Sequence, residues 1–128
     1  MNVLLDTHVL LWWLMADPRL TTRARSAVED TGFDRHVSSV TAFEIANKVR
    51  IGKLEPARDI VDRFDIILGD GRFMKLNVTP SHALTAGSMP GHNKDPFDRL
   101  LAAQAREHFL VMISADKAFD EFHIARLW

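Results

Sequence analysis

Four acidic residues, Asp6, Glu44, Asp98 and Asp116, stand where carboxylates from well-separated segments can meet. Asp6 directly follows the apolar run NVLL, and Asp116 follows FLVMI within ISAD. Glu44 sits in AFEIA, among apolar neighbours where a charge is otherwise expensive. Asp98 closes DPFD, with Asp95 one turn earlier. Two carboxylates ~4 Å apart repel by roughly 4 kcal/mol at an effective dielectric of ~20. Proteins relieve that by raising a pKa or by binding a cation. Hard dications take oxygen ligands, so Mg²⁺ or Mn²⁺ fits such a group, and phosphodiester hydrolysis is chemistry that it serves. For any one of these acids, capping a helix or ending a strand is an equally physical reason to be there.

The elements that must position them follow from periodicity. Strand-length apolar runs occur at Asn2–Leu5, His36–Ser39, Phe73–Val78 and Phe109–Ile113, with a last one at Ile124–Trp128. Helical period is found over Thr7–Met15, Leu20–Asp30, Val40–Ile51, Ala57–Leu68, Pro80–Ser88 and Pro96–His108. Gly52 suits the residue just past a helix end, and Gly69 ends the Ala57–Leu68 pattern. Thr79 and Asp95 can N-cap helices whose first residue is proline. Alternating strands and helices predict an α/β fold with a mainly parallel central sheet covered on both faces. In such folds ligands gather beyond the carboxyl ends of the strands, the edge where all four acids fall.

Composition narrows the class. A chain of 128 residues, 47% of them hydrophobic, suits one domain over residues 1–128. No run of about 18 apolar residues is present, and Asp6 and His8 interrupt the N-terminal apolar stretch, which has no basic residue ahead of it. With no cysteine, thiolate metal sites are excluded and the cytoplasm is the natural compartment. The net charge of −1 does not announce nucleic-acid binding. With the four acids set apart, however, the other 13 of 17 face 16 Lys and Arg.

The segments LLDTHVLLWWL, SSVTAFEIANKVRIGKL, PGHNKDPFDRLLAAQA and ISADKAFDEF, in that order, resemble PIN-domain proteins, and more closely the VapC-type toxins of type II toxin–antitoxin pairs. The resemblance covers nearly the whole chain. It implies a three-layer α/β/α sandwich, Mg²⁺- or Mn²⁺-dependent endoribonuclease activity, a cognate antitoxin as partner, RNA as substrate, and a homodimer or a hetero-oligomer with the antitoxin. It assigns Asp6, Glu44, Asp98 and Asp116 as the catalytic and metal-binding acids, and it prefers Asp98 to Asp95. Asp95, Ser114 and Thr7 are then supporting groups around the ligands. Asn93 and Asn47 depart from the family's usual residues and are expected not to touch the four acids.

Other features have two readings each. Lys48, Arg50 and Lys53 are either a solvated face or contacts to an RNA backbone, and Arg99 either pairs with substrate phosphate or neutralises a neighbouring acid. Trp12 and Trp13 fit core packing better than a base-stacking platform. His8 and His92 lie near the site edge, where an oxygen cluster already suffices without them. An aspartyl-phosphate phosphatase would place an acid two residues after Asp6, where His8 stands. The alternative from another class is a catalytically silent PIN-like protein that binds RNA or a partner; the intact set of acids speaks against it.

Overall fold

In the computed structural model, which describes residues 1–128, the first strand β1 (Val3–Leu5) is buried on both sides. Successive side chains of a strand point to opposite faces. Val3 and Leu5 therefore enter one core and Leu4 the other. This is why the strand reads as an unbroken apolar run. β2 (Arg35–Ser38), β3 (Met74–Leu76), β4 (Val111–Ile113) and β5 (Arg126–Leu127) complete the sheet. The order is β3-β2-β1-β4-β5, and every pairing is parallel.

Helices α1 (Thr7–Leu14), α2 (Thr22–Glu29), α3 (Ser39–Arg50), α4 (Arg58–Asp62) and α5 (Phe64–Asp70) close the first core. Helices α6 (Pro80–Ser88) and α7 (Pro96–Glu107), with a 3-10 turn at Lys117–Phe122, close the second. The result is the expected three-layer α/β/α sandwich. A fully buried side chain such as Leu101 or Phe119 contributes roughly 1.5–3 kcal/mol. None of the helices is long and apolar enough to cross a membrane.

Two elements differ from the sequence expectation. The helix expected over Ala57–Leu68 begins as a 3-10 turn at Glu55–Ala57 and is broken at Arg63, which leaves helical geometry. In a straight helix Leu68 would point about 80° away from Ile60; the break lets both enter the first core. The 3-10 turn at Lys117–Phe122 has no helical period to announce it. It is started by Asp116, whose Oδ1 accepts the Ala118 N–H at 2.9 Å.

Candidate metal centre

Register explains why the acids come to one edge of the sheet, near enough to act on one another's charge, although no three of their oxygens approach as closely as the ligands of one ion. Leu5 pairs with Ile113, so Asp6 and Ser114 leave the sheet side by side. Leu4 pairs with His36, which brings the end of β2 and the start of α3 to the same edge. Asp6, 6% exposed, N-caps α1: its Oδ1 accepts the Thr7 N–H at 2.8 Å. Its Oδ2 accepts the Ser114 hydroxyl at 2.7 Å, and His8 Nδ1 lies 3.2 Å from the same oxygen. Ser114 Oγ also accepts the Asp116 N–H at 2.9 Å, so one buried hydroxyl joins the first and last acids.

Glu44 lies in the second turn of α3, whose start is capped by Ser38. The Thr7 hydroxyl donates to Glu44 Oε1 at 2.8 Å. Having spent its proton there, Thr7 accepts from Thr41 across 3.1 Å. Burial pushes the Glu44 carboxyl up; the Thr7 hydrogen bond opposes that, and the charges of Asp6 and Asp98 add to it. Asp98, in the first turn of α7, is pushed up to about 6. Burial is the main cause. Asn93 opposes it by a hydrogen bond, and the negative charges of Asp95, Asp6 and Asp116 reinforce it.

Asp98 and Asp116 line an open cleft of about 640 Å³ together with His92, Asn93, Asp95 and Glu121. Asp95 is committed as the cap of α7: its Oδ1 accepts from Phe97 at 2.8 Å and from Asp98 at 3.3 Å. Capping and convergence are thus not alternatives. Asp6, Asp95 and Asp116 each cap with Oδ1 and keep Oδ2 for other partners.

Asn93 corrects an expectation. It touches one of the four acids, because its Nδ2 donates to Asp98 Oδ2 at 3.1 Å. Its main-chain N–H donates to Glu121 Oε1 at 2.7 Å, and Glu121 is a cleft residue that sequence reasoning missed. The supporting loop needs Gly91: φ is +144°, and a Cβ would lie 2.8 Å from the buried Phe122 ring. Only chain folding brings Glu121 to Asn93, so the signal available in sequence was limited to the polar run HNKD.

The basic residues separate. Lys48 is one turn beyond Glu44 on the same face of α3 and acts electrostatically on Glu44 and His8. Arg50 turns to Asn47 at the end of α3, and Lys53 is exposed beyond it. Arg99 is a loop brace rather than a free cation. It donates to the carbonyls of Ala86 at 2.7 Å, Asn93 at 2.8 Å and Met89. Each of its three nitrogens makes one of these bonds to the main chain. Trp12 and Trp13 pack against the first core. Trp12 lies 4.6 Å from His8 and 5.8 Å from Trp128, while Trp13 donates to Glu29 at 3.0 Å. His8 Nε2 accepts the Ala115 N–H at 3.3 Å, so its proton is on Nδ1, facing Asp6.

The four acids offer oxygen alone, and the charges acting most strongly on Asp98 are all negative. That donor set fits a hard dication and gives a soft metal no thiolate. An all-parallel α/β/α sandwich with acids at the carboxyl edge of its central strands has them where folds of this class gather ligands. The chain belongs to the PIN domain family, which it matches over residues 3–124, and within it to the VapC type. It is 31% identical over 117 residues to Ribonuclease VapC22 of Mycobacterium tuberculosis (strain ATCC 25618 / H37Rv), covering 91% of this chain and 88% of that protein. The fold is similar to VapBC2 from Rickettsia felis, solved bound to a promoter DNA fragment (TM-score 0.72, 14% identity, 99% of this chain and 98% of that one). It is also similar to FitAcB from Neisseria gonorrhoeae (TM-score 0.68, 21% identity, 98% and 96%).

Proposed function

We propose that this chain is a metal-dependent endoribonuclease, the toxin component of a type II toxin–antitoxin pair, acting as one PIN-like unit over residues 1–128. Asp6, Glu44, Asp98 and Asp116 hold Mg²⁺ or Mn²⁺, with Asp116, the most exposed, the least enclosed of the four. The observation that carries this reading is the clustering of carboxylates around Asp98, pushed up to about 6 with negative neighbours. A relative that carries the name ribonuclease supports the substrate class. When bound, the ion supplies an activated water and positive charge against the phosphodiester.

The chain's own residues do the rest. Thr7 and Ser114 aim Glu44 and Asp6, so the donor set is fixed before substrate arrives. Asn93 holds one oxygen of Asp98, a residue that lines the cleft. Lys48 flanks the acids where an RNA backbone can pass. The partners are RNA, a cognate antitoxin and a second copy of the chain; the antitoxin is suggested by the complexes in which similar folds were solved. The compartment is the cytoplasm.

The test is cleavage of end-labelled RNA by the purified chain with Mg²⁺ or Mn²⁺, with and without EDTA, followed by analysis of the new ends. Attack by water leaves a phosphate on one fragment and a free hydroxyl on the other, and EDTA abolishes it. Cleavage that survives EDTA, or that leaves 2′,3′-cyclic phosphate, would overturn the metal mechanism.

A further inference from the structure

A second convergent set of side chains lies apart from the four acids. It sits where the start of α6 packs on the end of α7, nine residues past Asp98 and so about 14 Å further along that helix. His82 Nε2 and His108 Nε2 face each other at 2.7 Å, and Glu107 Oε2 is 3.6 Å from His82 Nε2. The three ligand atoms lie within 4.8 Å of one another. Glu107 is held in this pose: its Oε1 accepts the hydroxyls of Ser81 at 2.9 Å and Thr85 at 2.7 Å. That leaves Oε2 turned toward the imidazoles. His82 is 1% exposed, whereas His108 is exposed at the C-cap of α7.

We propose that His82 Nε2, His108 Nε2 and Glu107 Oε2 bind one transition-metal dication of the Zn²⁺ class, which braces α6 against the end of α7. Two imidazoles and a carboxylate suit Zn²⁺, Co²⁺ or Ni²⁺, while Mg²⁺ prefers oxygen and water. Ser81 and Thr85 play the outer role that fixes a ligand's orientation.

Without metal, one proton fills the gap. The Thr79 N–H donates to His82 Nδ1 at 3.0 Å, so neutral His82 carries its proton on Nε2 and gives it to His108 Nε2. Metal takes the place of that proton. The His82 proton then moves to Nδ1 and displaces the Thr79 N–H that bonds there, so metal binding exchanges that capping hydrogen bond for one from the imidazole to the Asn77 main chain. Metal–nitrogen bonds of ~2.0–2.1 Å in tetrahedral geometry separate two nitrogens by about 3.3 Å. The pair must open by roughly half an ångström, which the exposed His108 side chain can give.

The test uses the full chain titrated with Co²⁺ in a large excess of Mg²⁺, which occupies oxygen-only sites. We expect one Co²⁺ per chain with the strong visible absorption of a tetrahedral centre, displaced by Zn²⁺. His108→Gln and Glu107→Gln, both changes at accessible side chains, should weaken it at least tenfold, while Asp6→Asn leaves it intact. Zn²⁺ should raise the melting temperature of the wild type but not of His108→Gln. No Co²⁺ bound under Mg²⁺, or undiminished binding by His108→Gln, would show a shared-proton hydrogen bond and nothing more. Loss of Co²⁺ in Asp6→Asn instead would assign the ion to the carboxylates. This outcome is independent of RNA cleavage, so it stands or falls apart from the function proposed above.

Discussion

The amide of Asn93 donates from Nδ2 to Oδ2 of Asp98 at 3.1 Å, while its own Oδ1 accepts the Asp95 N–H at 2.9 Å. The hydrogen bond favours the ionised form of Asp98 against the burial and negative neighbours that raise its pKa. Asn93→Ala should therefore raise that pKa further. Proton competition with Mn²⁺ at Asp98 should then set in at higher pH, and the acidic limb of RNA cleavage at limiting Mn²⁺ should move up with it. A pH–rate profile for this variant that superimposes on the wild type would remove Asn93 from the working site.

Asp98 also makes stability depend on pH. Its folded pKa of about 6 lies above the ordinary 3.8, so the folded chain prefers the protonated carboxyl. The destabilisation from ionising it is absent below the unfolded pKa, grows as pH rises through the interval, and is complete above about 6. In EDTA, Asp98→Asn should melt at a higher temperature than the wild type at pH 7.5. The two should converge near pH 4. A variant less stable than the wild type at pH 7.5 would contradict the assignment.

Ser114 offers a test of how the ligands are held. Its wholly buried hydroxyl donates to Asp6 Oδ2 and accepts the Asp116 N–H. Ser114→Ala leaves both groups without that partner, a loss of about 1–3 kcal/mol. It should also weaken Mn²⁺ binding by roughly tenfold or more. Ser114→Thr keeps the hydroxyl and should restore most of both. Melting curves and Mn²⁺ titrations of the two variants check this, and equal behaviour of Ala and Thr would refute it.

What could be read from sequence was what depends on local pattern. Asp6 and Asp116 each follow an apolar strand, and the parallel pairing of β1 with β4 turns that into adjacency. Pro80 and Pro96, preceded by Thr79 and Asp95, marked two helix starts at the residues observed. What depends on the path of a loop was not legible. Asn93 meets Asp98 and Glu121 only because the segment after α6 folds back over α7, held there by Arg99. The same bracing turned Arg99 from a candidate for phosphate into a partner of three carbonyls. Arg35 is a further case: a charged residue is a poor candidate for the core, yet it is buried, with Val28 and Gly71 carbonyls taking its donors and Phe73 beneath its guanidinium. His82 and His108 are likewise 26 residues apart and meet only through helix packing.

The central claim is that the four carboxylates bind the ion that cleavage needs. The most direct measurement is Mn²⁺ binding, followed by its electron paramagnetic resonance signal, in the wild type and in Asp6→Asn, Glu44→Gln, Asp98→Asn and Asp116→Asn, with RNA cleavage measured on the same samples. The account predicts that the first three variants bind Mn²⁺ at least tenfold more weakly and lose cleavage in parallel, with Asp116→Asn affected least. Wild-type Mn²⁺ affinity in Asp6→Asn or Glu44→Gln, or full cleavage without bound Mn²⁺, would contradict it.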